Sequence, residues 1–183
     1  MITWQELWAR DDYIHGKTVN FNIVDSYIKF KPKCILDIGC GFATESKLFQ
    51  EKYGSELYLL DGEFSESNGT RQVRYGSVEN MSFYNKITDL KRYYDSQNMQ
   101  YNFVDANNIQ IDENVTFDLV YSFLSCGFHY PANTYMDLIN KHTNENSFII
   151  MDIRNLESQQ NIEILDEIVA QQKSRKYRIR FVF

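Results

Sequence analysis

Two acids and two glycines carry the spacing most suited to chemistry in this chain. The run Cys34-Ile35-Leu36-Asp37-Ile38-Gly39-Cys40-Gly41 is a short apolar stretch ending in two glycines one residue apart. Such a turn brings backbone N–H groups closer to a ligand than any Cβ would permit. About 20 residues further on, Asp61 closes a second apolar run, Leu57-Tyr58-Leu59-Leu60. A carboxylate at the tip of the next parallel strand accepts hydrogen bonds from two ribose hydroxyls. The combination predicts a site for an adenosine-containing cofactor.

The residues around the glycines narrow the choice. A dinucleotide fingerprint continues Gly-x-Gly-x-x-Gly, whereas here the third position is Thr44 and Asp37 precedes the first glycine. A carboxylate there opposes a pyrophosphate and suits a cation, such as the sulfonium and ammonium of S-adenosylmethionine. On these residues the chain resembles the class I S-adenosylmethionine-dependent methyltransferases, whose first motif is an acid-x-Gly-x-Gly turn after strand one. The resemblance covers roughly residues 33–155. It implies S-adenosylmethionine as cofactor and S-adenosylhomocysteine as product. By the same resemblance Asp37, Gly39, Cys40 and Gly41 surround the amino-acid and ribose portions, Asp61 and Gly62 hold the ribose, and Phe123 shields the cofactor. Asp105 accepts from the exocyclic amine of adenine, and the Ala106 N–H donates to a ring nitrogen. The residues alone equally allow Asp105 to make a plain strand-end turn with Ala106-Asn107-Asn108.

A further apolar stretch, Phe117-Asp118-Leu119-Val120-Tyr121-Ser122, runs into Phe123-Leu124-Ser125-Cys126-Gly127-Phe128-His129-Tyr130-Pro131. His129 is the histidine of this exit, and an ordinary pKa of about 6.5 suits it to accept a proton from a hydroxyl. The other role open to it is to order the turn. The exit lacks the (Asp/Asn)-Pro-Pro-(Tyr/Phe) clamp of amino-methylating DNA enzymes, and it holds no Pro-Cys nucleophile for cytosine C5 chemistry, since Ser125 precedes Cys126. His15, His129 and His142 are far apart, so no metal site is expected; Asp118 and Asp152 read as strand acids satisfied by hydrogen bonds. Leu59-Leu60-Asp61-Gly62, Phe83-Tyr84-Asn85 and Ser125-Cys126-Gly127-Phe128-His129-Tyr130-Pro131 together resemble sugar O-methyltransferases of bacterial surface-glycan clusters and phages. That likeness implies a hydroxyl acceptor on a sugar or similar small polar molecule, with His129 near it.

The elements that must hold these residues alternate between apolar runs and helical patterns, the signature of a doubly wound α/β fold. Strands are predicted near residues 34–38, 57–61, 101–105, 117–122, 147–152 and 177–182, and helices near 18–29, 43–53, 88–97, 132–142 and 156–172. The expected architecture is one Rossmann-like methyltransferase domain over residues 1–183, a mostly parallel twisted sheet with helices on both faces. Residues 1–32 form an N-terminal cap segment, and the long polar stretch 62–86 a substrate loop. One strand follows the last helix where the family ends in an antiparallel pair, so the C-terminal pair reads as shortened and its edge open to completion by a second subunit.

Composition bounds the rest. With 43% apolar and 15% aromatic residues, the 183-residue chain can bury one sizeable core. Of its 19 basic residues five fall in residues 173–180 with no acid among them, so the rest is more acidic than the net charge of −6 indicates. An acidic body disfavours nucleic acid as a partner. The basic tail reads as an edge strand guarded by charge. Cys34, Cys40 and Cys126 form no Cys-x-x-Cys pair and are expected reduced. No window approaches the ~18 apolar residues of a membrane span, and the N-terminus lacks a basic region before an apolar one, so a soluble, cytoplasmic protein, monomer or homodimer, is expected. Two other functions stay open: a nucleic-acid methyltransferase using the basic tail, whose complexes would be salt-sensitive, and a non-catalytic S-adenosylmethionine-binding module.

Overall fold

The computed structural model describes residues 10–64, 83–127, 132–154 and 176–182. Helix α1 (Asp11–Tyr27) leads into strand β1 (Cys34–Ile38), α2 (Thr44–Tyr53), β2 (Glu56–Asp61), α3 (Ile87–Ser96) and β3 (Asn102–Asp105). Strand β4 (Leu119–Ser122), a 3-10 turn (Ala132–Tyr135) running into α4 (Met136–Lys141), β5 (Phe148–Arg154) and β6 (Lys176–Val182) follow. The six strands form one sheet in the order β3-β2-β1-β4-β5-β6, with every neighbouring pair parallel. The order reverses between β1 and β4. At such a switch point the loops beyond the carboxyl ends of the strands diverge and leave room for a ligand.

Period-two alternation along the strands divides the core into two layers. Ile35, Leu57, Leu59, Leu119, Tyr121 and Ile150 pack with Phe21 and Val24 of α1, Phe49 of α2, and Leu90 and Tyr94 of α3. Leu36, Ile38, Leu60, Val120, Ile149 and Met151 face the other way, against Tyr135, Met136 and Ile139. Because both faces of the central strands are buried, their sequences read as continuous apolar runs. The sheet, wound by helices on both faces, is the expected fold.

Three boundaries differ from expectation for identifiable reasons. Helix α1 begins at Asp11 and not near residue 18, because Asp11 and Asp12 supply first-turn acids that favour a helix start although that turn buries nothing. The helix expected over 132–142 opens as 3-10 and becomes α-helical only at Met136. Strand β4 starts at Leu119, just after Asp118, whose backbone already bonds Cys34 O and the Phe148 N–H and whose carboxylate accepts from the Lys33 and Cys34 N–H groups at 2.8 and 3.1 Å. The last strand, β6, pairs parallel with β5 from Phe148↔Lys176 to Arg154↔Val182. The helix expected over 156–172 lies outside the described residues, as do Trp4 and Trp8 and most of the loop 62–86.

Candidate functional site

The glycine turn is bolted to the tips of two strands. Gly39 has a left-handed backbone, φ +72°, and its N–H and that of Cys40 both donate to Leu60 O at 2.8 and 3.1 Å. The Gly41 N–H donates to Asp61 Oδ2 at 2.8 Å, and the Gly62 N–H to Asp61 Oδ1 at 2.8 Å. Each oxygen of Asp61 thus holds one backbone donor and keeps a further lone pair. Burial pushes the Asp61 carboxyl up to about 6 against the pull of those two N–H groups. From α3, the Tyr94 hydroxyl donates to Gly41 O and lies 3.4 Å from Cys40 Sγ, clamping the turn from behind.

Gly39 is required here by space as well as by conformation. A Cβ at this position would fall 1.7 Å from Ser125 Oγ and 2.4 Å from Ser125 Cβ, so the turn after β4 lies directly against the turn after β1. That second turn is itself pinned. Ser122 Oγ donates to Ile38 O at 3.0 Å and accepts from the Cys126 N–H at 2.8 Å, while the left-handed Leu124 gives its N–H to Asp152 Oδ2 at 3.2 Å. Phe123 stacks on Tyr121 with ring centroids 5.1 Å apart and is buried with the core.

Asp37 lies beneath the turn in a buried polar network. Its Oδ2 accepts from Ser46 Oγ at 2.8 Å and Tyr121 Oη at 3.1 Å, and those two hydroxyls are 2.5 Å apart. Burial and then the nearby Glu45 push its carboxyl up to about 7, against the pull of Ser46 and Lys17. Lys17 of α1 pairs with Glu45 at 3.1 Å, and Asn20 Nδ2 adds a 3.3 Å bond to the same oxygen. Burial works against the Lys17 charge, but Glu45 and its neighbours outweigh it and hold the ammonium above its ordinary range. The floor of the site therefore holds two acids to one base, a setting that favours an incoming cation.

At the β3 tip Asp105 stands beside Asp61 in register. Its Oδ1 accepts from the Asn107 N–H at 2.9 Å and Asn107 Nδ2 at 3.3 Å, the strand-end turn that the residues alone allow. The Ala106 N–H continues the ladder by donating to Asp61 O at 2.9 Å. In this structure that donor lies within the sheet ladder.

The structure thus gathers Asp37, Gly39, Cys40, Gly41, Asp61 and Gly62 at one place, with Asp105, Ala106 and Phe123 on adjoining strand tips. His129 lies outside the described residues. Among the described residues no group of three or more His, Cys, Asp or Glu side chains is placed to hold a metal ion, and Asp118 and Asp152 are engaged with backbone amides. Sequence reasoning misses Lys17, Glu45, Ser46, Tyr121 and Ser125, whose partners are remote in sequence. Nor does anything in the string Phe83-Tyr84-Asn85 show that the Phe83 ring meets Gly62. Cys40 and Cys126 are buried free thiols, and burial pushes Cys126 up to about 12.

No protein-family model matches the chain, and no curated protein matches it in sequence. Solved structures do match its fold. The PH0226 protein from Pyrococcus horikoshii OT3 superposes with a TM-score of 0.57 at 20% identity, over 90% of this chain and 64% of that one. A methyltransferase from Pyrococcus furiosus gives 0.55 at 12% identity, over 85% of this chain and 71% of its own. The plantazolicin methyltransferase BpumL, in complex with S-adenosylhomocysteine, gives 0.45 at 16% identity, over 88% of this chain and 65% of its own. The chain spans less than two thirds of the length of PH0226 and BpumL. The likeness is one of fold: a parallel α/β sheet shared with a methyltransferase.

Proposed function

We propose that the chain is a small cytoplasmic class I methyltransferase that uses S-adenosylmethionine and acts on a hydroxyl of a sugar or another small polar acceptor. The observation that carries this reading is Asp61 at the β2 tip, one oxygen on the Gly41 N–H and the other on the Gly62 N–H, each with a lone pair left for a ribose hydroxyl. The acidic floor formed by Asp37 and Glu45 supports a cationic ligand over an anionic pyrophosphate. The buried acceptor of Asn85, which has no partner among the described residues, fits an adenosyl ligand beside the chain that leaves β2.

When bound, the sulfonium supplies an electrophilic methyl group, so the protein's task is in-line positioning. Asp61 fixes the ribose, and the Gly39–Gly41 turn lies along the amino-acid portion. Phe123, packed on Tyr121 at the β4 exit, excludes water from that side. Asp105 stands at the base edge. His129 is the group proposed to take the acceptor's proton. The sugar-like acceptor rests on the sequence resemblance and on the polar, aromatic-bearing stretch 62–86.

Calorimetry with S-adenosylmethionine and S-adenosylhomocysteine tests the reading. The wild type should bind both, and Asp61→Ala should lose about 2–4 kcal/mol through the missing charge-assisted bonds. Undetectable binding at millimolar ligand, or equal affinity in Asp61→Ala, would remove the assignment.

A further inference from the structure

Asn85 lies two residues before α3, and its side-chain Oδ1 is buried without a hydrogen-bond partner among the described residues. The residue as a whole is 3% exposed. A dry amide oxygen is costly, and native proteins seldom keep one without a use for it. Its neighbourhood points to that use. The Asn85 carbonyl accepts the Phe64 N–H at 2.8 Å, and Glu63 Oε2 accepts the Ile87 N–H at 2.9 Å, so the start of α3 is sewn to the chain leaving Asp61. Within the same junction the Phe83 ring lies across Gly62. A Cβ on Gly62 would fall 2.3 to 2.4 Å from three of its ring carbons.

A buried aromatic ring, packed over Gly62 and 8% exposed, and a lone acceptor therefore sit at the junction that receives the chain leaving the proposed ribose carboxylate. This pairing matches an aromatic base that carries an amine: the ring offers a stacking surface, and the acceptor takes one N–H. On the neighbouring strand β3 Asp105 Oδ1 is taken by Asn107 and the Ala106 N–H by Asp61 O, which leaves Asp105 Oδ2 as the acceptor at that tip. The geometry points to Phe83 and Asn85 as the base-reading pair of this site, with adenine lying against the Phe83 ring and its exocyclic amine donating to Asn85 Oδ1. The inference rests on the adenosyl reading of the site. Because Oδ1 is closed off from solvent, docking the base requires a rotation of the Asn85 amide or of the Phe83 ring. Base selection then draws on the β2–α3 junction as well as on the β3 tip.

Calorimetric titration with S-adenosylhomocysteine and with S-inosylhomocysteine, whose base carries an oxygen in place of the amine, separates the possibilities. The wild type should prefer the adenosyl ligand by about tenfold or more, roughly 1.4 kcal/mol, because the inosyl oxygen would face the Asn85 oxygen. Asn85→Ala should lose most of that preference while its unliganded melting temperature stays level or rises, since the change removes a buried orphan acceptor. Asn85→Asp, which keeps an acceptor, should retain the preference. Phe83→Leu should weaken both ligands by a similar factor, about three- to tenfold, and keep their ratio. An unchanged preference in Asn85→Ala, or equal affinity of the wild type for the two ligands, overturns the assignment and leaves the adenosyl site standing. A wild type that binds neither ligand overturns both.

Discussion

Asp37 shows how burial couples the charge of one side chain to stability. It is buried with Ser46 and Tyr121 donating to it, yet burial and Glu45 hold its carboxyl up at about 7. An unfolded aspartate titrates near 3.9, so between about pH 4 and 7 the folded chain keeps a proton that the unfolded chain has released. Stability is therefore greatest at the acid end of this window and falls as pH rises through it, by up to about 1.4 kcal/mol per pH unit. Asp61, raised to about 6, adds the same sign over a narrower range. The expected outcome is a melting temperature that declines from pH 5 to pH 8 in the unliganded wild type and declines much less in Asp37→Asn. A slope unchanged by the substitution would show that the ionisation of Asp37 does not govern it. Tyr13, Lys17 and Tyr121 also face this network, and Tyr13 and Tyr121 are raised further from neutrality, so they stay protonated across the window.

At the scale of elements, the site is an arrangement of strand tips and the turns that leave them. The turn after β1 is hooked to Leu60 O, the turn after β4 is held by Ser122 and Asp152, and the two meet at Gly39 and Ser125. Neither element has room to yield. Gly39→Ala should therefore both strain a left-handed backbone and drive the β4 turn outward, with a loss on the order of 2–4 kcal/mol in urea unfolding. Pairing it with Ser125→Gly should recover part of that loss by removing the side chain in the way, while leaving the backbone strain. No recovery in the double variant would mean that conformation alone sets the requirement. The glycine spacing is legible in the sequence, but its partner is not: Ser125 lies far down the chain and meets Gly39 only because β1 and β4 are neighbours in the sheet.

For the whole molecule, the site and both core layers share one sheet, so a ligand held by the tips of β1 and β2 should stabilise the fold as a unit. A ligand at 100 times its dissociation constant adds about 2.7 kcal/mol, which for a chain of this size is a rise of roughly 5–10 °C. Thermal unfolding with and without S-adenosylhomocysteine reads this directly. A single transition that moves up as one is expected, and at the same ligand concentration it should move by less than half as much in Asp61→Ala. Two transitions, only one of them ligand-sensitive, would show that the layers melt independently.

The strand runs are readable because a strand buried on both faces needs an unbroken apolar sequence, and two helix stops are marked by Gly54 and Pro32, whereas the first-turn acids of α1 do not by themselves mark its start. The turn Asp37-x-Gly39-x-Gly41 and the strand-ending Asp61 are readable because their chemistry depends on local spacing. The pairing of β6 parallel to β5, the Asp37–Ser46–Tyr121 network, the Lys17–Glu45 pair and the approach of Phe83 to Gly62 depend on which strands become neighbours and in what register. A single sequence encodes that register only through the summed packing of both layers, with no local signal for any one pair. The sequence by itself therefore determined the class of fold and the local spacing from which the ligand is proposed. Tertiary structure alone decided the partners of its acids: contacts between residues distant along the chain form when the sheet closes, and burial then sets their charge.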